Sequence, residues 1–265
     1  MTAVPLHMKP DPDDPELWEP YIDGTVDGRP YRFLLDTGAG QTRILTDAAI
    51  AGLPAVGTKQ SHGLFGAITD DLVTLESLAV GPFARSDITV VRTVRDDRPS
   101  LVAMDVLADM AMVLDLGQTL VDFVPSGSLP ASWPMRRSPN GQPFLELEFP
   151  EGVGALACWD TGATLGVVNT SFHAAHEELF TPIGTSTGFD SVGQSLETQM
   201  YLMSACTAGG ITLAPHKVAT VPLPQDPMPM DMVLGYPAIR QYVWTMDYPL
   251  NRWSATAAEK PKGHW

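Results

Sequence analysis

The chain is short of cysteine, of basic residues and of long apolar runs. Cys158 and Cys206 are too few for a disulfide framework, so a reducing, cytoplasmic setting is the default expectation. With 16 Lys and Arg against 31 Asp and Glu, the net charge of −15 argues against nucleic-acid or anionic-membrane partners, which need basic surface. No stretch approaches the roughly 18 apolar residues of a membrane span. Met1-Thr2-Ala3-Val4-Pro5 leads into the acidic Asp11-Pro12-Asp13-Asp14 with no apolar segment between, so no secretory leader is expected.

Several chemistries lack their frameworks. No glycine-rich phosphate loop of either common pattern occurs. His173 and His176, beside Glu177 and Glu178, have no HExxH-type partner and read as a solvated helix face, so no metal site is expected. Gly184-Thr185-Ser186-Thr187-Gly188 fits the GxSxG string, but Thr181-Pro182-Ile183 before it and glycine-bearing sequence after it suit a flexible loop, not a nucleophile elbow.

What the chain has in quantity is turn residues. Its 24 prolines and 23 glycines, separated by short apolar runs, suit a β-rich fold. A chain of 265 residues with 44% hydrophobic content can bury one large or two small cores.

The tripeptide Asp-Thr-Gly occurs twice, as Asp36-Thr37-Gly38 and Asp160-Thr161-Gly162. A chain of this length contains one such tripeptide by chance about 3% of the time, and two far more rarely. The surroundings match as well. Tyr31-Arg32-Phe33-Leu34-Leu35 and Ala155-Leu156-Ala157-Cys158-Trp159 read as strands entering the two motifs, after the turn signals Asp27-Gly28 and Pro150-Glu151-Gly152.

Downstream, Thr46 and Thr170 each fall ten residues after the Asp and are expected to cap helices over 47–53 and 171–179. Leu101 to Leu107 parallels Val233 to Ile239, and Asp115 and Asp247 each follow eight residues later. The DTG-to-Asp span is 79 in the first copy and 87 in the second, which places the length difference before the Leu234-Gly235 strand. The chain reads as an internal duplication. Its parts are an N-terminal lobe over 1–125, a linker over 126–142 and a C-terminal lobe over 143–265.

Leu34-Leu35-Asp36-Thr37-Gly38-Ala39 and Trp159-Asp160-Thr161-Gly162-Ala163, with the later apolar-apolar-Gly of Val233-Leu234-Gly235, resemble the retropepsin-like aspartic peptidase family. The resemblance covers roughly residues 20–125 and 143–257. It implies an all-β, bilobal, pseudo-twofold fold made of two retropepsin-like lobes, each with a short helix. Thr37 and Thr161 would then cross-bond between lobes, and Gly38 and Gly162 would allow close backbone approach. One departure is Ala103 in place of the family's glycine, where a methyl group is expected to crowd the strand crossing behind Asp36.

The chemistry of two carboxylates supports the same reading. Held a few ångströms apart, Asp36 and Asp160 cannot both ionise, so the pair keeps one proton while acting on a shared water. The dyads of aspartic peptidases are the general example of such a pair. Ala39 and Ala163 stand where pepsin-like enzymes commonly have serine. Loss of that hydroxyl donor predicts a pH optimum nearer neutrality than pepsin's.

Leu34 and Cys158, two residues before each Asp, are pocket-wall candidates by strand alternation. Phe65 and Phe189 lie in Ser61 to Gly66 and Ser186 to Gly193, stretches at the place of the family's flaps, and join them as substrate-contacting candidates. The reading is therefore an aspartic endopeptidase acting on peptide or protein as a single-chain monomer, with no cofactor. The alternatives are a peptidase-fold module that binds extended peptides without cutting them, and a glycoside hydrolase using the same two acids.

Overall fold

A computed structural model describes residues 3–62, 66–189, 195–223 and 228–258. The molecule is mostly β-strand with few helices, in line with the all-β expectation. Among the described residues, its strands form a 13-stranded and a 10-stranded sheet. Among the described residues, no helix is long and apolar enough to cross a membrane.

The turn chemistry before each DTG strand is local and strong. Strands Trp18–Val26 and Arg29–Leu35 join through Asp27 and Gly28, at φ 49° and 74°. Positive φ at both central residues gives the primed turn whose twist matches a hairpin. In the second half, Glu151 and Gly152, at φ 64° and 78°, lie between Pro143–Glu148 and Gly154–Trp159.

Each DTG then follows a strand that pairs in parallel with a short partner from much later in the chain. Leu34 lies opposite Leu101 and Leu35 opposite Val102. In the second copy Cys158 lies opposite Val233 and Trp159 opposite Leu234. The strand leaving each DTG returns antiparallel to that same partner, Arg43 opposite Leu101 and Val167 opposite Val233. Both tripeptides thus occupy the crossing of three strands.

Alternation divides these residues into two faces. Leu35, Val102 and Ile44 enter the main core, as do Trp159, Leu234 and Val168. On the opposite face, Leu34 and Leu101 pack with Tyr21 and Ala103, while Cys158 and Val233 pack with Phe144.

The halves are also joined by hydrogen-bonded strands. Ala111–Asp115 pairs antiparallel with Tyr242–Asp247, and the register is symmetric: Leu114 faces Trp244 while their equivalents Met246 and Met112 face each other. Val4–Pro10 extends this sheet by pairing with Leu120–Val124, so the leader before the first lobe is structural. In the 126–142 stretch, Trp133–Pro134 pairs with Arg252–Ala257 and Arg136–Arg137 with Pro143–Glu148. Beneath the joint, Trp159 stacks on Trp244 at 5.7 Å, and Trp244 on Trp253 at 5.4 Å.

The helices differ from expectation. Residues 47–53 form turns, not a helix, and the Asp47 carboxylate accepts there from the N–H groups of Ala49 and Ile50. Thr46 instead donates its hydroxyl to the Thr93 carbonyl. The helix after the second DTG exists as Thr170–Ala175, but its cap is Asn169, whose side chain accepts from Ser171 N–H, and residues 177–179 continue as a 3-10 turn. Short helices Met104–Leu107 and Tyr236–Ile239 lie within the stretches 101–107 and 233–239 that parallel each other in sequence. The GxSxG string lies in the strand Phe180–Phe189, not in a loop.

The second half carries the hairpin Cys206–Ala208 and Ile211–Leu213, where the first has the continuous strands Ala67–Val80 and Phe83–Thr93. This lies within the interval where the length difference was expected.

Trp244 is fully buried and packed between two other tryptophans at the joint between halves. Trp244→Ala is expected to destabilise the protein by about 3–5 kcal/mol, the usual cost of emptying a buried tryptophan site. Urea unfolding at constant m-value measures it, and a loss under about 1 kcal/mol would contradict this view of the joint.

Candidate active site

Thr37 and Thr161 are almost wholly buried, and they exchange hydrogen bonds across the two copies. Thr37 N–H donates to Thr161 Oγ1 at 3.2 Å, and Thr161 N–H donates to Thr37 Oγ1 at 3.1 Å. Each hydroxyl also reaches past its partner. Thr37 Oγ1 donates to the Trp159 carbonyl at 2.8 Å, and Thr161 Oγ1 donates to the Leu35 carbonyl. The two DTG turns are therefore tied by four crossed bonds, each ending at or beside the strand that feeds the other turn.

This tie leaves the two carboxyls facing each other within hydrogen-bonding range. Backbone donors hold them from below. Ala39 N–H donates to Asp36 Oδ1 at 2.8 Å, Gly162 N–H to Asp160 Oδ1 at 2.8 Å, and Gly38 N–H crosses to Asp160 Oδ1 at 3.1 Å. Glycine is required by space here. A Cβ on Gly38 would stand 2.1 Å from Asp160 Oδ2, and one on Gly162 would stand 2.6 Å from Asp36 Cγ.

The pair is electrostatically strained. Burial raises the Asp36 carboxyl above the ordinary carboxylate range, with the nearby Arg43 charge acting against the rise. Asp160 is pushed up to about 8, by burial first and then by the charge on Asp36. One proton shared by the pair follows from these causes. Cys158 behind them is kept as a thiol by burial and by both carboxyls.

The pocket-wall candidates take different places. Leu34 and Cys158 lie on the carboxyl-bearing face of the sheet, 5% and 4% exposed, packed in the small clusters there and not standing as open walls. Phe65 lies outside the described residues. Of Phe189, the backbone at the end of the strand Phe180–Phe189 is described. Both flap stretches sit at the ends of hairpins, Ala55–His62 with Ala67–Val80, and Phe180–Phe189 with Ser195–Met203. Residues 63–65 and 190–194 lie outside the described residues.

The crowding expected at Ala103 resolves in a specific way. A Cβ on Gly235 would come within 2.7 Å of the Ala163 carbonyl. In the first copy, Ala103 is fully buried beside Leu34 and Leu101, with its N–H donated to Thr42 Oγ1 at 3.2 Å. Correspondingly, the returning strand makes one residue pairing with Leu101–Val102, against two with Met232–Leu234. Asp105 reinforces this looser crossing by accepting from both the N–H and the hydroxyl of Thr42.

Two residues beside the dyad escaped sequence reasoning. Gln142 donates its Nε2 to the Gly38 carbonyl at 2.6 Å, anchoring the first DTG turn from the connecting segment. Arg43 lies seven residues after Asp36, on the carboxyl-bearing face. Comparing the two copies position by position would have exposed Arg43, because its counterpart is Val167. Nothing local marks Gln142. His173 stacks on Tyr201 at 4.4 Å, and among the described residues no group of His, Cys, Asp and Glu is arranged to hold a metal.

The all-β fold and the paired DTG turns are consistent with an aspartic peptidase architecture. Residues 22–106 match the family model described as aspartyl protease, which supports an aspartic peptidase family and a peptidase activity in general. No curated protein matches the chain.

Because the folded Asp160 binds its proton more tightly than an unfolded Asp, native stability falls as pH rises from about 4 toward 8. Asp160→Asn mimics the protonated form. The variant is expected to melt a few degrees above the parent at pH 7, with the gap closing below pH 4. Thermal melts at the two pH values test this, and a variant melting below the parent at pH 7 would refute the strained pair.

Proposed function

We propose that this chain is a two-lobed aspartic endopeptidase that hydrolyses peptide bonds in peptide or protein substrates through a water activated between Asp36 and Asp160. The observation that carries the reading is the crossed bonding of Thr37 and Thr161, which ties both DTG turns together with their carboxyls face to face.

The chemistry follows from one shared proton. The ionised carboxylate takes a proton from the water as its oxygen attacks the scissile carbonyl carbon. The protonated partner hydrogen-bonds the carbonyl oxygen and passes its proton there, giving a neutral gem-diol. Collapse of that diol re-forms the carbonyl, breaks the C–N bond and delivers a proton to the leaving amine. The dyad ends with the one proton it began with.

Arg43 acts against the rise that burial gives the Asp36 carboxyl, while the charge on Asp36 adds to the rise at Asp160, and the single proton belongs to the pair. A glycoside hydrolase needs its acids about 5–9 Å apart, and carboxyls within hydrogen-bonding range of each other disfavour that alternative.

The substrate lies extended in the cleft, pairing through its main chain with the hairpin ends. The enzyme acts as a monomer in a reducing cytoplasmic setting and uses neither metal nor organic cofactor. Sedimentation at the 28.6 kDa monomer mass checks the first of these points, and a stable dimer would overturn it.

Asp36→Asn and Asp160→Asn should each abolish cleavage of a peptide library read by mass spectrometry, a loss of at least about 10³-fold, with folding retained. Near-normal activity in either variant would defeat the shared-dyad mechanism. Peptide binding without fragments in the parent would favour the non-cutting module. The rate should peak well above pH 3 and fall as pH passes through about 8, where Asp160 loses its proton. A profile peaking below pH 3 would contradict that assignment.

A further inference from the structure

Gln142 ends a tight loop that folds back onto the first DTG turn. Ser138 N–H donates to the Gln142 carbonyl at 3.0 Å, and Gly141 N–H donates to the Ser138 carbonyl at 2.9 Å, which closes the loop. Both ends of the Gln142 side-chain amide are hydrogen-bonded. Its Oε1 accepts from the Ser138 hydroxyl at 2.7 Å, and its Nε2 donates to the Gly38 carbonyl at 2.6 Å. These partners also fix which end of the amide meets Gly38, because the reversed amide would set oxygen against oxygen.

The Gly38 carbonyl and the Ala39 N–H belong to one peptide unit, and that N–H donates to Asp36 Oδ1 at 2.8 Å. Three bonds therefore run in series from Ser138 through Gln142 and the 38–39 peptide to the Asp36 carboxyl, every donor pointing toward it. A carbonyl that accepts a hydrogen bond is polarised, and the N–H of the same peptide becomes a stronger donor. A stronger donor favours the ionised carboxyl. The second turn lacks this arrangement. Gln142 precedes Asp160 by the same interval as Trp18 precedes Asp36, and Trp18 carries no amide. Ala163 N–H, the counterpart of Ala39 N–H, donates to the Asp160 main-chain carbonyl at 3.4 Å. The charged and titratable groups that face Asp36 are Asp160 and Arg43, with the Cys158 thiol behind the pair. Arg137 borders the loop and donates Nε to the Gly141 carbonyl at 3.0 Å.

We infer that Gln142 is a positioning residue for the dyad: through the 38–39 peptide it strengthens the N–H donor on Asp36 and so favours the one-proton form of the pair, with Ser138 acting through it. The inference rests on the peptidase reading for its use in catalysis. Its physical content, an easier ionisation of Asp36, holds whether or not a peptide is cut.

The test titrates Asp36 by NMR in protein isotope-labelled at the aspartate carboxyl carbons. In Asp160→Asn, Asp36 titrates without its coupled partner, and its signal is assigned by its absence from the spectrum of Asp36→Asn. Adding Gln142→Leu to Asp160→Asn should raise the Asp36 pKa by about 0.5–1 unit, and adding Ser138→Ala should raise it by less. With Gln142→Leu already present, Ser138→Ala should add nothing. In the otherwise native chain, Gln142→Leu should move the acid limb of kcat/KM upward by a similar amount. A loop that merely holds the turn in place would lower the rate or the melting temperature and leave the Asp36 titration unmoved, and that result would overturn the inference. So would a Ser138→Ala shift of the same size with and without Gln142. A shifted titration in a chain that cuts no peptide would uphold Gln142 while refuting the peptidase reading. If Gln142→Leu fails to fold, Ser138→Ala decides the matter by the same titration.

Discussion

Everything at the centre of this molecule depends on holding two carboxyls together that repel when both are charged. Coulomb repulsion at a few ångströms in a poorly solvated site costs several kcal/mol, so the arrangement persists only if something rigid opposes it. The opposing structure is the reciprocal bonding of Thr37 and Thr161. Each threonine is buried, and each uses its N–H as donor and its hydroxyl as both donor and acceptor. The hydroxyls end on the carbonyls of Leu35 and Trp159, the residues that immediately precede the two aspartates. A shift of either turn would break bonds in both copies at once. Gly38 and Gly162 complete the constraint, since any Cβ there would overlap the opposing carboxyl.

The constraint reaches outward through the strands. Trp159 precedes Asp160 and stacks on Trp244, which lies opposite Leu114 in the sheet shared by both halves. The self-symmetric register of Ala111–Asp115 against Tyr242–Asp247 fixes one half relative to the other by backbone hydrogen bonds. Asp115 and Asp247, equivalent in the duplication, secure the turns that follow these strands, accepting from Gln118 N–H and Leu250 N–H. The shared sheet thereby supports from below what the threonines fix from above.

Much of this was legible in the sequence because the relevant signals are local or repeated. The DTG pair, the strand before each, the turns at Asp27-Gly28 and Glu151-Gly152, and the equivalence of Asp115 with Asp247 all appear twice, and repetition separates signal from chance. The failures arose where a short polar side chain competed with the backbone. Asp47 accepts from Ala49 and Ile50 N–H in a stretch that forms turns, and Asn169, not Thr170, caps the second helix. Periodicity alone favours neither outcome. Gln142 was illegible because its bond to the Gly38 carbonyl depends on how the connecting segment folds back, which only the tertiary structure decides.

The two DTG-bearing halves also differ at matched positions. Where the second copy has Gly235 and Val167, the first has Ala103 and Arg43. The first crossing has fewer strand pairings than the second, and polar bonds from Thr42 and Asp105 reinforce it. A buried guanidinium stands beside the first, whereas Cys158, Val233 and Val167 pack in an apolar cluster at the second. The charge then acts on the dyad. Arg43 favours ionisation of Asp36, and the negative charge on Asp36 helps keep the proton on Asp160. A pair of identical acids related by a pseudo-twofold axis would share its proton evenly. In this chain Arg43 acts against the rise of the Asp36 carboxyl, so the two acids stand in unlike surroundings.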